Sequence, residues 1–354
     1  MSGEKAVLHL IGRDCTREEA AFALALAERQ SATGIKAVIA CPEDSWTSGR
    51  TTALSLPVEH LSLSSAINPF EWRRVAKLAQ SVEADCILSH DQTSTSIAGH
   101  AGRKHGGMVY RRINKSASYE KADSVFHCSE YAVEELPDRA DAKHVLLYAG
   151  GDEAKAKTAL DNRDKERATL KAEFCPEKEK PLFLYYSADF IEKNRHQLLL
   201  EALPDILTKL PQVHLLLAGD GEHLAELERQ CRITALENDV TFIEVDDDPY
   251  GVMTAVDIYV SPRQDDPAGF MTQIAMLSGR AVVAARSGLN PELIDHDKNG
   301  ILVEGETAAE YCQVLLDVLQ NRNRREHFGR MAAARAAKTG LTAAMNAIAE
   351  KLLS

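Results

Sequence analysis

Short apolar runs recur along the chain, and between them lie longer stretches in which apolar residues return every three or four positions. The runs at 6–11, 35–40, 85–88, 182–186, 213–217, 240–243, 258–260 and 281–285 show little polar alternation and read as strands covered on both faces. The stretches 16–31, 71–82, 196–210, 222–236 and 269–278 carry helical spacing, and Thr16 with Glu19 three positions on has the spacing of a capping box. Such strands alternating with helices specify βαβ units, and therefore parallel sheets. The Ser-, Thr- and Pro-containing stretch 42–69 reads as a loop. A segment rich in Lys, Glu, Asp and Ala, 153–180, interrupts the alternation and reads as an exposed helix and linker, with Pro176 and Pro181 near its end. Two domains follow: 1–155, a linker at 156–180, and 181–338, with 339–354 a terminal helix returning to the first domain.

One strand-loop-helix-strand unit stands out. Residues 258–260 enter a loop with Pro262 and Pro267 that ends at Gly269, where a helix begins; Gly279 breaks it before the strand 281–285. In a parallel sheet ligands sit beyond the carboxyl ends of strands, and a loop of Pro, Asp and Gly feeding a helix N-terminus suits a phosphate or a sugar. Asp266 and the backbone N–H groups after Gly269 are the first candidates for a site.

Composition narrows the class. A length of 354 residues with 45% apolar and 27% charged residues suffices for two hydrophobic cores. The formal net charge of −12 argues against a nucleic-acid partner, since phosphate backbones need a basic face. The first half has local basic clusters, at Arg73-Arg74 with Lys77 and from Arg103 to Lys115; they suit a solvated surface first, and otherwise anionic lipid headgroups or a phosphorylated acceptor. Seven scattered cysteines without metal-ligand spacing, no apolar run of membrane-spanning length and no signal-type start lead to the expectation of a reduced, cytoplasmic protein.

The stretch 258–292 resembles the donor-binding signature of GT-B glycosyltransferases of retaining family 4, the glycosyl transferases group 1, which reads roughly P-S-x-x-E-x-F-G-x-x-x-x-E-A-x-A-x-G-x-P-V. Pro262, Asp266, Gly269, Ala275, Gly279 and Val282 fall in register, with Asp266 at the first glutamate, Ala268 at the phenylalanine and Ile274 at the second glutamate. In the first half His90-Asp91, Arg111-Arg112, Asp123, Ser129-Glu130 and the closing Gly151 and Asp152 match the order of the family's first domain. Further on, Lys193 matches the lysine of G-R-(apolar)-x-x-x-K-G, with Ser187-Ala188 in place of Gly-Arg and Asn194 in place of the final glycine; the turn Ala218-Gly219-Asp220-Gly221 also matches.

The resemblance implies an α/β protein of GT-B architecture, two Rossmann-like doubly wound domains facing a cleft. It implies a retaining, metal-independent transfer from a nucleotide-sugar substrate, without a cofactor, to a cell-envelope glycan or glycolipid, with a peripheral contact at the inner membrane surface. It assigns catalysis to Lys193 and Asp266; donor binding to Ser187, Lys193, Gly219, Gly269, Phe270, Met271 and Ile274; and the acceptor or cleft side to Gly12, Arg13, His90, Asp91, Arg111 and Arg112. The departures motivate a different reading, a catalytically degenerate homologue that binds a partner, and a more distant one, an epimerase or phosphorylase of the same architecture. Plainer roles stand beside each residue. Lys193 also suits a solvated surface, Asp266 a helix cap, His90 a bonded loop histidine, Arg111-Arg112 ordinary ion pairs, and Asp246-x-Asp248 an exposed acidic loop rather than a metal site.

Overall fold

A computed structural model describes residues 5–110, 121–133, 144–245 and 248–353. The chain divides into two compact units, Met1–Gly150 together with Leu341–Ser354, and Gly151–Gly340.

In chain order the first unit runs β1 (Ala6–Leu10), α1 (Arg17–Ala32), β2 (Lys36–Cys41), α2 (Trp46–Ala53), β3 (Val58–His60), α3 (Pro69–Ser81), β4 (Cys86–Ser89), α4 (Gln92–Ala98), β5 (Lys104–Val109), β6 (Ser124–His127), α5 (Glu130–Val133) and β7 (His144–Leu146). Its seven-stranded sheet has the order β3-β2-β1-β4-β5-β6-β7 with every described pairing parallel. The absence of polar alternation is explained by burial on both faces, since β1 is buried at all five positions. Helix α1 starts at the capping box, Thr16 accepting from Glu19 N–H while Glu19 accepts from Thr16 N–H at 2.7 Å. The 42–69 stretch is more than a loop: Ser45 caps α2, and the edge strand β3 pairs with β2.

The second unit opens with α6 (Glu153–Asp161) and α7 (Arg163–Phe174), then β8 (Leu182–Ser187), a 3-10 turn Glu192–Asn194, α8 (His196–Lys209), β9 (Val213–Ala218), α9 (Leu224–Ile233), β10 (Val240–Ile243), α10 (Tyr250–Ala255), β11 (Ile258–Ser261), α11 (Phe270–Leu277), β12 (Ala281–Ala285), α12 (Asn290–Leu293), β13 (Ile301–Val303), α13 (Ala308–Gln320) and α14 (Arg322–Ala336). The six-stranded sheet runs β10-β9-β8-β11-β12-β13, again parallel throughout. Both orders reverse direction once, between β1 and β4 and between β8 and β11, which defines a Rossmann-like, doubly wound sheet in each unit.

The segment read from sequence as a linker is built into this second unit. Arg167 of α7 donates to Ala255 O at 2.6 Å, Pro181 O at 2.7 Å and the Asp257 carboxylate at 2.9 Å. The last helix, α15 (Leu341–Leu352), belongs with the first unit, packing against α1 and β5. Its buried residues Leu341, Ala344, Ile348 and Leu352 recur at helical spacing, and burying each of the larger ones contributes about 1.5–3 kcal/mol.

Candidate functional site at the carboxyl ends of the strands

In the first unit the reversal of strand order brings the ends of β1 and β4 together, and with them Gly12, His90 and Asp91. Asp91 caps α4: one carboxylate oxygen accepts from Ser94 N–H at 2.8 Å, the other from Gly12 N–H at 2.7 Å and Ser94 Oγ–H at 2.6 Å. A side chain at position 12 would not fit, because a Cβ would lie 2.8 Å from both Asp91 Oδ2 and Ser94 Oγ. Burial raises the Asp91 pKa against these donors.

His90 is fully buried in a chain of polar side chains. The carbonyl of Gln30 can only accept, so at 2.7 Å it fixes the proton of His9 on Nε2. His9 Nδ1 then accepts from His90 Nε2–H at 3.0 Å, and His90 Nδ1 accepts from the Tyr110 hydroxyl at 2.8 Å. Burial, only partly opposed by the Gln30 bond, pushes His9 down to about 4; burial and then His9 push His90 well below its ordinary value. Both rings are neutral at pH 7. Arg13, assigned to the same side from sequence, extends to the surface and donates to Asp44 at 2.6 Å. Arg111 and Arg112 lie outside the described residues, as does Asp246. His9, Gln30 and Tyr110 escaped the sequence reading, although a histidine inside an apolar strand run signals a buried partner.

In the second unit the reversal lies between β8 and β11. Ser187 is the last residue of β8, is buried, and pairs in register with Ala218. The turn after β9 packs hard on the loop after β8: a Cβ at Gly219 would collide with Ala188 O, and Gly219 N–H is already spent on Ile243 O at 3.2 Å. Asn194 pins that loop, its side-chain amide donating to Asp189 O at 2.7 Å while its backbone carbonyl accepts from the Tyr186 hydroxyl at 2.7 Å. The adjacent Lys193 is exposed, and among the described residues its ammonium has no hydrogen bond or ion pair. Arg195 holds a left-handed φ of 61° and bonds Glu306 at 2.8 Å, while its buried Nη1 lacks an acceptor. Sequence reasoning passed over it.

The loop from β11 to α11 is a closed turn. Asp266 accepts from Gly269 N–H at 2.9 Å, with Arg263 Nη1 3.8 Å from the same oxygen, and Asp266 O accepts from Leu289 N–H at 3.0 Å. Gly269 sits at φ 53° and leads into α11. Phe270 and Met271 are buried. Among the described residues the N–H groups of Met271 and Thr272 form no hydrogen bond, and the buried Thr272 hydroxyl also lacks a partner. These groups and the helix dipole give the first turn of α11 the character of an anion seat. Gln273 turns inward and donates to Ala268 O at 2.9 Å, so it does not replace a carboxylate at 274. Ile274 reaches toward Gly151, its Cγ1 3.3 Å from where a Cβ there would stand. Asp152, next in sequence, caps α6 and donates its N–H to the Tyr250 hydroxyl at 2.5 Å. No group of three or more His, Cys, Asp or Glu among the described residues could hold a metal ion.

Residues 166–335 match the family model of glycosyl transferases group 1, a span that lies wholly inside the second unit. The match supports a group 1 glycosyltransferase. Sulfoquinovosyl transferase SQD2 of Arabidopsis thaliana is 30% identical over 159 residues, 44% of this chain and 30% of its own length. The lipopolysaccharide core biosynthesis glycosyltransferase LpsE of Rhizobium meliloti is 26% identical over 136 residues, 38% of this chain and 39% of its own. The similarity thus spans about a third of these relatives. Over the whole fold, the crystal structure of Anabaena Alr3699/HepE with UDP and glucose has a TM-score of 0.80 at 20% identity, covering 98% of this chain and 99% of that one. The fold is that of GT-B glycosyltransferases.

Proposed function

We propose that the chain is a retaining glycosyltransferase of family 4 that moves a sugar from a nucleotide-sugar to a cell-envelope glycan or glycolipid, without a metal and without a cofactor. The observation that carries this reading is the open first turn of α11, with the unspent N–H groups of Met271 and Thr272, at the carboxyl end of the sheet that also ends in Ser187. Departure of a nucleoside diphosphate gathers negative charge on the leaving oxygen while an oxocarbenium-like centre forms on the sugar. Fixed N–H dipoles and a cation aimed at that oxygen lower the barrier without reorganising. Lys193, unpartnered and exposed, supplies the cation; Asp266, one methylene shorter than the glutamate it replaces, faces the sugar hydroxyls. HepE was crystallised with UDP and glucose, which favours a uridine donor as the first to try.

A lipid-carried acceptor is supported by α3. Glu71, Val75 and Ala79 face inward, whereas Phe70, Arg73, Arg74 and Lys77, at helical spacing, face solvent together with Ile67, which is 84% exposed; Phe70 is 73% exposed. An apolar tip beside a basic stripe suits anionic headgroups. No described helix is long and apolar enough to cross a membrane.

The test is thermal shift and nucleotide release with a panel of UDP-, GDP-, ADP- and CMP-sugars. One of them should stabilise the chain and turn over, and Lys193→Ala should slow turnover by about two to four orders of magnitude. Ile274 in place of a ribose-binding glutamate favours the alternative, a homologue that binds a partner without catalysis; stabilisation by no nucleotide-sugar would decide for it.

A further inference from the structure

A groove of about 570 Å³ opens at the amino-terminal ends of the second unit's strands, where Leu182 begins β8, Asp257 precedes β11 and Ala281 begins β12. This is the edge of the sheet opposite to Ser187 and the 262–269 loop. Its lining carries seven basic side chains against four acidic ones, in a chain of formal net charge −12. Helices α7 and α14 both begin here, and Asn162 makes no side-chain cap on α7.

Neutralisation inside the groove is incomplete. Arg167 is paired with Asp257, and Arg322 with Glu326 at the exposed rim. The others have neutral acceptors or none. Arg280, buried, donates to Ser278 O at 3.1 Å and Val256 O at 3.0 Å; Arg325 donates to the carbonyls of Val318 and Leu319; the buried Nε of Arg163 meets no acceptor. Burial, and next the charge of Arg163, push Arg280 down to about 9, which leaves it charged at neutral pH. Taking an ion out of water costs more than carbonyl contacts return, so buried charges are as a rule paired or hold a ligand.

We propose that this groove is a second anion site, separate from the sugar-donor site, which takes a small soluble phosphate ester or diphosphate against Arg163, Arg280 and Arg325. Its volume lies within the roughly 300–1,000 Å³ of small-ligand sites. The proposal does not depend on the glycosyltransferase reading.

Inorganic pyrophosphate titrated into the full chain by calorimetry, at fixed physiological ionic strength, tests it. Saturable binding is expected, weakened about tenfold to a hundredfold by Arg163→Gln, by about tenfold by Arg325→Gln, and partly rescued by Arg163→Lys. Lys209→Gln, at an exposed cation of α8 outside both sites, should leave it unchanged. Two results would overturn the proposal: no saturable binding to the native chain, or binding that both arginine variants retain at native strength. Circular dichroism and thermal melting identify a variant that fails to fold, in which case the other arginine variant decides.

Discussion

The buried pair His9–His90 makes the first unit sensitive to acid, and the effect of His9 can be worked out. In the unfolded chain a histidine titrates near 6.5, whereas burial holds His9 at about 4 in the fold. A folded pKa below the unfolded one means that the unfolded chain binds the proton more tightly. The stability is therefore fully present above about pH 6.5 and is lost as pH falls toward 4. The whole displacement corresponds to about 3 kcal/mol, of which about 2 kcal/mol is lost between pH 8 and pH 5. Urea unfolding across that range, comparing the native chain with His9→Gln, reads this as a difference in slope: the variant should lose about 2 kcal/mol less. NMR titration of the His9 ring offers a direct check in the native protein. A His9 midpoint near 6.5, or a variant with the full native slope, would refute the reasoning.

Two further substitutions probe the second unit. Gly219→Ala forces a Cβ against Ala188 O, so it should destabilise by about 1–3 kcal/mol in chemical unfolding, and a change too small to measure would show that the two loops separate easily. Asp266→Ala removes the acceptor of Gly269 N–H and should cost about 1 kcal/mol, with Asp266→Asn recovering most of it; a large loss of turnover in Asp266→Asn at unchanged stability would mark a donor role beyond the cap.

The central strands of both sheets were legible because strands buried on both faces leave largely apolar runs, so 6–11 covers β1 and 281–285 coincides with β12. Helix α2 was not, since Trp46–Ala53 is rich in Ser, Thr and Gly and buries only Thr47 and Thr51. The stretch of α6 and α7 was legible as an exposed helix but not as part of the second unit, for a similar reason: each helix has one buried residue, Ala156 and Leu170, and α7 is held by Arg167 reaching partners up to 90 positions away. The same distance hid the histidine network, because His9 meets Gln30 and His90 21 and 81 positions along the chain. The Asp266 cap was within reach of sequence, lying three residues before the amide it accepts from. The cationic groove had no local signature at all, its arginines coming from α7, the turn before β12 and the start of α14.

Helix α15 sets an order of events during synthesis. The sheet of the first unit leaves the ribosome early, yet the apolar side chains that cover part of β5 and α1 are translated only after all 190 residues of Gly151–Gly340 have been made. Until then that surface is exposed to whatever else is sticky in the cell, and a released chain ending at residue 340 would carry a second unit able to close and a first unit still missing a wall.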